Sequence, residues 1–359
     1  GTLMPGLFDC HVHLCYDAAA DPFTAMSKVD DAHLVIRALR HAQAALRGGV
    51  TTTRDCGGKD YLEFAVRDAC NGGEFLGPTI RAAGRMICMT GGHGNRMGRV
   101  ADGTDDVVKA VREQIHAGCD FIKIMATGGS TWSSDPLRPS YTAEEIAVIV
   151  EEAHHFGRLT AAHCASMQGI KNSLDAGVDM IIHCVFEDET GMYDFSEPLA
   201  EQIAAAKAWV NPTLHVVQAG IDHTERMGYN RGWLTKDEQA SLDSSKASLE
   251  TRVDSVNRLI KMGVRMIAGS DSPWGAFPPG EFVKEMMALN KAGLSNTEAL
   301  VTGLSHAAES IAAGEQAGTL SPGRPGDILI VGGDPTSNLN ALWDIKDVYK
   351  SGVRIKRPD

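Results

Sequence analysis

Gly118-Cys119-Asp120-Phe121-Ile122-Lys123-Ile124-Met125 sets a glycine just before a short apolar run, and an amphipathic stretch over residues 105–116 leads up to it. A helix that closes on a left-handed residue and feeds directly into a buried strand is one half of a βα repeat. The same grammar recurs outward in both directions. Candidate strands cover residues 7–13, 50–55, 79–84, 120–125, 159–163, 180–183, 209–213 and 264–271. Candidate helices cover 34–46, 105–116, 143–156, 165–176, 198–206 and 242–262, and Gly48-Gly49, Gly118, Gly157, Gly177 and Gly263 stand at their ends.

About eight such units predict an α/β chain folded as a closed (β/α)8 TIM barrel rather than an open doubly wound sheet. No GxGxxG opens a helix after the first strand, which disfavours dinucleotide binding. After Pro322 the pattern changes. Gly323-Arg324-Pro325-Gly326 is a turn cluster, and residues 327–331 and 347–355 read as strands of a separate small sheet. The expected organisation is a barrel over residues 4–321 and the C-terminal strands of a small β-sandwich over 322–359. Two strands are marginal alone, so strands preceding Gly1 are expected to complete that sandwich.

The formal net charge of -12 argues against a nucleic-acid surface or a polybasic membrane patch and leaves a small molecule or peptide as the expected partner. No run reaches the ~18 apolar residues that span a bilayer. Cys10, Cys15, Cys56, Cys70, Cys88, Cys119, Cys164 and Cys184 show no CxxC or small-scaffold spacing. In a chain this long they read as reduced, buried thiols of a cytoplasmic protein. A removed N-terminal signal would alter that location, and a homo-oligomer is expected.

Strand ends of a parallel barrel face the active-site mouth. His11 and His13 fall at the first such end, Lys123 at the fourth, His163 at the fifth, His183 at the sixth and Asp271 at the last. Residues i and i+2 share a strand face, so His11 and His13 can point into one cavity. Imidazole with carboxylate suits zinc and similar divalent ions. Each residue alone has an ordinary reading as a satisfied core histidine or a helix cap; the coincidence of all six at one rim is what points to metal. Lys123 lies inside a run that should be buried, and a buried ammonium must be paired, neutral or modified. Either it extends to the rim, or burial lowers its pKa and carbon dioxide converts it to a carbamate able to bridge two metals.

Met4-Pro5-Gly6-Leu7-Phe8-Asp9-Cys10-His11-Val12-His13 resembles the opening motif of the amidohydrolase superfamily, and the later Lys, His, His and Asp match its binuclear subtype. Thr90-Gly91-Gly92-His93-Gly94 and Ile122-Lys123-Ile124-Met125-Ala126-Thr127-Gly128-Gly129 resemble the imidazolonepropionase-related dipeptidases and carboxypeptidases of the Xaa-Pro dipeptidase kind. The resemblance implies two divalent metals, zinc first, and N6-carboxylysine at Lys123. His11, His13, Lys123 and Asp271 would hold one metal; Lys123, His163 and His183 the other. It further implies hydrolysis of an amide bond by a hydroxide bridging the metals, with Asp271 as base and then acid.

His93 is expected to hydrogen-bond the scissile carbonyl or the substrate carboxylate. Tyr229, with Arg226 or Arg231, is expected in a loop after the seventh strand, where it could take a terminal carboxylate. Trp132, Trp274 and Phe277 are candidates for an apolar pocket, and His215 is open. His183 is followed by Cys184 rather than the usual glycine, and the stretches 132–139 and 272–275 are individual. The expected substrate is a dipeptide or short peptide with a free C-terminus. The alternatives are another amide, carbamate or urea, including a xenobiotic, and lastly a non-catalytic binding barrel.

Overall fold

Strands buried on every residue belong to a parallel layer covered on both faces, and the computed structural model, which describes residues 1–19, 25–26 and 28–356, shows such strands. In chain order the first ten strands are β1 (Thr2–Pro5), β2 (Leu7–Val12), β3 (Val50–Asp55), β4 (Thr79–Ala82), β5 (Ile87–Cys88), β6 (Arg99–Val100), β7 (Ile122–Met125), β8 (Thr160–His163), β9 (Met180–Ile182) and β10 (Trp209–Asn211), of which β2, β3, β5 and β7 to β10 are buried throughout. β2, β3 and β4 pair in parallel; a second parallel layer has the order β10-β9-β8-β7-β5-β6. Asp120 N donates to Ala82 O, linking the segment before β7 to β4. The segment 264–271, expected as a strand, and the following Ser272 make isolated parallel bridges instead, Val210↔Met266 and Val12↔Ser272. Asp271 N and Cys10 N donate to His11 O and Ala268 O along the same seam.

Alternation sorts the side chains into two cores. Phe8, Cys10, Phe121, Ala161, Met180, Ile182, Trp209 and Ile267 pack together in one. Leu7, Val12, Ile122 and Ile124 join the other, with helix residues such as Val107 and Ile146. In β2 the period of two breaks once. Asp9 pairs with Thr53 and Val12 with Asp55, so three residues oppose two. That extra residue is a bulge, a device that re-aims side chains. Here Phe8 and Cys10 stay with the inner core while His11 and His13, of opposite parity, also turn away from the helices and line a cavity.

Helix ends follow the sequence closely. Gly118 takes φ 94 and Gly157 φ 66, so each closes its helix in the left-handed conformation. Thr142 and Thr235 begin helices with reciprocal capping boxes. The helix Leu214–Arg231 is different: Thr213 enters it at φ 52 and offers no side-chain cap. The buried carboxyl of Glu285 substitutes, accepting from Leu214 N at 3.0 Å and His215 N at 2.7 Å. Removing it orphans two buried donors, so Glu285→Ala is expected to cost about 2–3 kcal/mol. A lowered urea midpoint at unchanged m-value checks this.

A four-stranded antiparallel sheet stands apart, in the order β1, Ile328–Val331, Ile345–Lys350, Val353–Arg354. Its first strand is the chain's own Thr2–Pro5, paired Leu3↔Ile330. One partner for the C-terminal strands thus comes from within the chain. All eight cysteines are unpaired and buried. Among the described residues no helix is long and apolar enough to cross a membrane.

Candidate active site

The strand ends meet at a cavity of about 330 Å³, lined by His11, His13, Lys123, His163, His183 and Asp271 together with His93. His11 Nε2 lies 3.3 Å from His13 Nε2, and Asp271 Oδ1 lies 3.3 and 3.4 Å from those two nitrogens. Donors held ~2.0–2.1 Å from a tetrahedral ion stand roughly 3.3 Å apart. The triangle therefore has the edge length that a small divalent cation needs, and these three residues form a group able to hold one. His163 and His183 face each other further along, ring centroids 4.5 Å apart, and His93 lies 4.7 Å from His163.

Protonation suits ligation as well. Burial holds His11, His163 and His183 well below the ordinary histidine value, and neighbouring cations add to the effect. A neutral imidazole has one lone pair, and its partner decides which nitrogen carries it. Asn211 Oδ1 sits 3.1 Å from His11 Nδ1, and Gly57 O 2.8 Å from His13 Nδ1, which leaves both Nε2 atoms as acceptors toward the cavity. Thr213 Oγ1 lies 2.6 Å from His183 Nδ1. His163 is reversed: its Nε2 donates to Gly128 O at 3.0 Å, so Nδ1 is the free acceptor. His93 differs again. The Thr131 backbone N–H donates to its Nδ1 at 3.3 Å, so the proton rests on Nε2 and that nitrogen is a donor.

Lys123 is 2 % exposed, and among the described residues its Nζ has no ion pair or hydrogen bond. Burial lowers its pKa. Asp9 is likewise buried, which raises it to about 7, and it ties the β2 bulge to the last strand segment by accepting from Ser270 N and His11 N. Backbone strain gathers at the rim: His183, Cys184, Thr213 and Asp271 take φ of 65, 54, 52 and 59. Cys184 occupies a left-handed position, which explains physically why glycine is the usual residue there.

Several sequence expectations lie elsewhere. Tyr229 and Arg231 do not line the cavity; their stretch is the end of the helix Leu214–Arg231 rather than a loop. Val217 lines the cavity, and twelve residues of helix carry Tyr229 roughly 18 Å along the axis from it. Tyr229 is 87 % exposed beside a surface groove with Trp233, and Arg231 pairs with Glu238. Trp132 is 82 % exposed, and Phe277 is buried against His215, 4.7 Å away. Trp274 does line the cavity, tilted against Tyr16, which stacks on His13 at 4.7 Å. Tyr16, Val216, Val217 and Arg252 are lining residues that the sequence reading did not single out.

Neutral imidazoles, a carboxylate and a buried lysine converging at one end of a parallel α/β layer define a class, the hydrolases built around a metal site. The family is more particular. The model of the Amidohydrolase family matches residues 2–355, and the chain belongs to that family. It has the family's TIM-barrel α/β fold and is a hydrolytic enzyme acting on amide bonds; the family is generally metal-dependent. The chain is 28% identical to the ochratoxinase of Aspergillus niger over 391 residues, 99% of this chain and 76% of the relative. A solved Xaa-Pro dipeptidase with methionine bound in its active site matches at TM-score 0.87 and 25% identity, covering 99% of this chain and 87% of that one. A prolidase complexed with N-methylphosphonate-L-proline matches at TM-score 0.84 and 26% identity, with the same coverage.

Proposed function

We propose that the chain is a binuclear metal-dependent amidohydrolase that cleaves dipeptides or short peptides with a free C-terminal carboxylate, as a dipeptidase or carboxypeptidase. The observation that carries this is Lys123, an unpartnered buried lysine facing a cavity ringed by neutral imidazoles. A neutral Lys123 amine adds carbon dioxide and releases one proton, giving N6-carboxylysine, a carboxylate between the two ligand groups. His11, His13, Asp271 and this carboxylate would hold one metal, and the carboxylate with His163 and His183 the other. Zinc fits nitrogen-rich ligands of this spacing. When bound, the metals supply Lewis acidity toward the scissile carbonyl and acidify water.

The chain's own groups do the rest. Asp271 takes the proton from water at Oδ2 and returns it to the leaving amine. His93 donates its Nε2 proton to the carbonyl oxygen as charge builds there. Asn211, Gly57, Thr213 and Gly128 hold the four imidazoles in their tautomers. Tyr16 and Trp274 wall the cavity on its His13 side. Methionine and N-methylphosphonate-L-proline, the ligands of the two solved relatives, both carry a free carboxylate, which favours a peptide C-terminus here. We further take the eight strand segments as a closed barrel, supported by the hydrogen bonds of residues 264–272 to both neighbours, with the small sheet as part of a sandwich.

Metal-reconstituted protein assayed on a dipeptide library and the matching C-terminal amides tests the reading. The expected result is turnover of free acids and a loss of about 100-fold or more on amides. Equal rates on both, or turnover confined to carbamates and ureas, would replace the peptidase reading with the other hydrolase reading.

A further inference from the structure

One cation of the cavity has no task in the chemistry above. Arg252 sits on the long helix Lys236–Lys261 and lines the same cavity as Asp271, Val216, Val217 and Trp274. Its Nε donates to Ser248 Oγ at 3.3 Å, one turn earlier, which fixes the stem and leaves the terminal nitrogens of the fork uncommitted. It forms no ion pair among the described residues; Glu187 and Asp271 act on it only through space. The guanidinium is half-buried at the cavity: burial works against its charge, and an anion brought into the cavity would offset that.

The surroundings narrow the anion. Lys123 and Arg252 are the cationic lining residues, and Lys123 is spoken for if it carries a carbamate. The planar guanidinium fork matches a carboxylate with two parallel N–H···O bonds, which an ammonium cannot offer. Val216 and Val217 come from the first turn of the helix Leu214–Arg231, which Glu285 anchors, and that helix packs against the one carrying Arg252. A positive fork and an apolar ledge thus arrive from adjacent helices.

We propose that Arg252 is the specificity-determining residue: its guanidinium takes the free carboxylate of a substrate whose C-terminal residue is apolar and rests on Val216, Val217 and Trp274. This rests on the amidohydrolase reading above, deepening it to one substrate class. It also moves carboxylate recognition from the end of the helix Leu214–Arg231 to the neighbouring helix.

The test is binding, so that it stands apart from turnover. L-methionine, L-methioninamide and L-glutamate are titrated calorimetrically into metal-loaded wild type, Arg252→Met and Arg252→Lys, after circular dichroism and metal analysis of each. Wild type is expected to bind methionine about 100-fold tighter than the amide, and tighter than glutamate. Arg252→Met brings methionine and its amide to within a few-fold, and Arg252→Lys recovers part of the difference. Preference for the acid undiminished in both variants would overturn the proposal, because the carboxylate would then be held elsewhere. Should Arg252→Met fail to fold, Arg252→Lys alone decides: a loss of tenfold or more supports the fork, and no loss overturns it. A wild type that hydrolyses no amide yet shows this binding pattern would sink the proposed function and leave Arg252 in place.

Discussion

Asp271→Asn is expected to keep its metal and lose about three orders of magnitude in kcat. Asparagine has nearly the same shape and retains an oxygen where Oδ1 now sits, 3.3 and 3.4 Å from the two imidazole nitrogens. It also tolerates the left-handed backbone of this position, φ 59, better than most residues. The Asp271 backbone N–H still donates to His11 O at 2.7 Å, so the seam between β2 and the last strand segment survives. What disappears is the basic oxygen that accepts a proton. Metal content by elemental analysis should match wild type while single-turnover rates collapse. Undiminished turnover would remove Asp271 from the proton path.

Lys123→Ala is expected to be as damaging to activity and more damaging to metal content. Without a carboxylate between the two ligand groups, metal bound per chain should fall from two toward one, with kcat/KM down roughly 1,000-fold. Acetate or formate, small enough for the vacated space, should restore part of both. The apoprotein offers a separate reading. An unpaired buried ammonium costs stability, so apo Lys123→Met should melt no lower than apo wild type. Two metals and full turnover in Lys123→Ala would refute the bridging role.

Much of this site was legible because it obeys short periods. His11, His13, His163, His183 and Asp271 sit where apolar runs stop and Lys123 interrupts one, and the carboxyl ends of parallel strands gather at one rim. Glycines such as Gly118 and Gly157 announce the helix ends by the backbone conformation they allow. Helix faces are harder to read. Val216, Val217 and Arg252 enter the cavity from two long helices whose rotation is set by packing, and no local pattern encodes it. Tyr229 and Arg231 misled for a related reason. Gly228 interrupts that stretch like a loop, yet it lies within the helix, where a Cβ would stand 2.8 Å from the Leu234 side chain. Residues 264–271 read as a strand and pair as one only in places, and the backbone turns left-handed at Asp271. Thr2–Pro5 pairs antiparallel with residues more than 320 positions away, a pairing that leaves no local trace in the sequence.

The bulge in β2 has a consequence for how the protein can change. A strand is read in twos, one letter for the core and one for the helices, and the extra residue between Asp9 and Val12 is a frameshift in that reading. Below it the frame spells packing, Phe8 and Cys10; above it the frame spells the cavity lining, His11 and His13. Substitutions on one side can therefore drift without being transmitted to the other. Paired without the bulge, the same residues would alternate strictly, and both imidazoles would turn out toward the helices while Phe8 and Cys10 kept their places. The inventory of residues would be complete, and the cavity would lack two of its imidazoles.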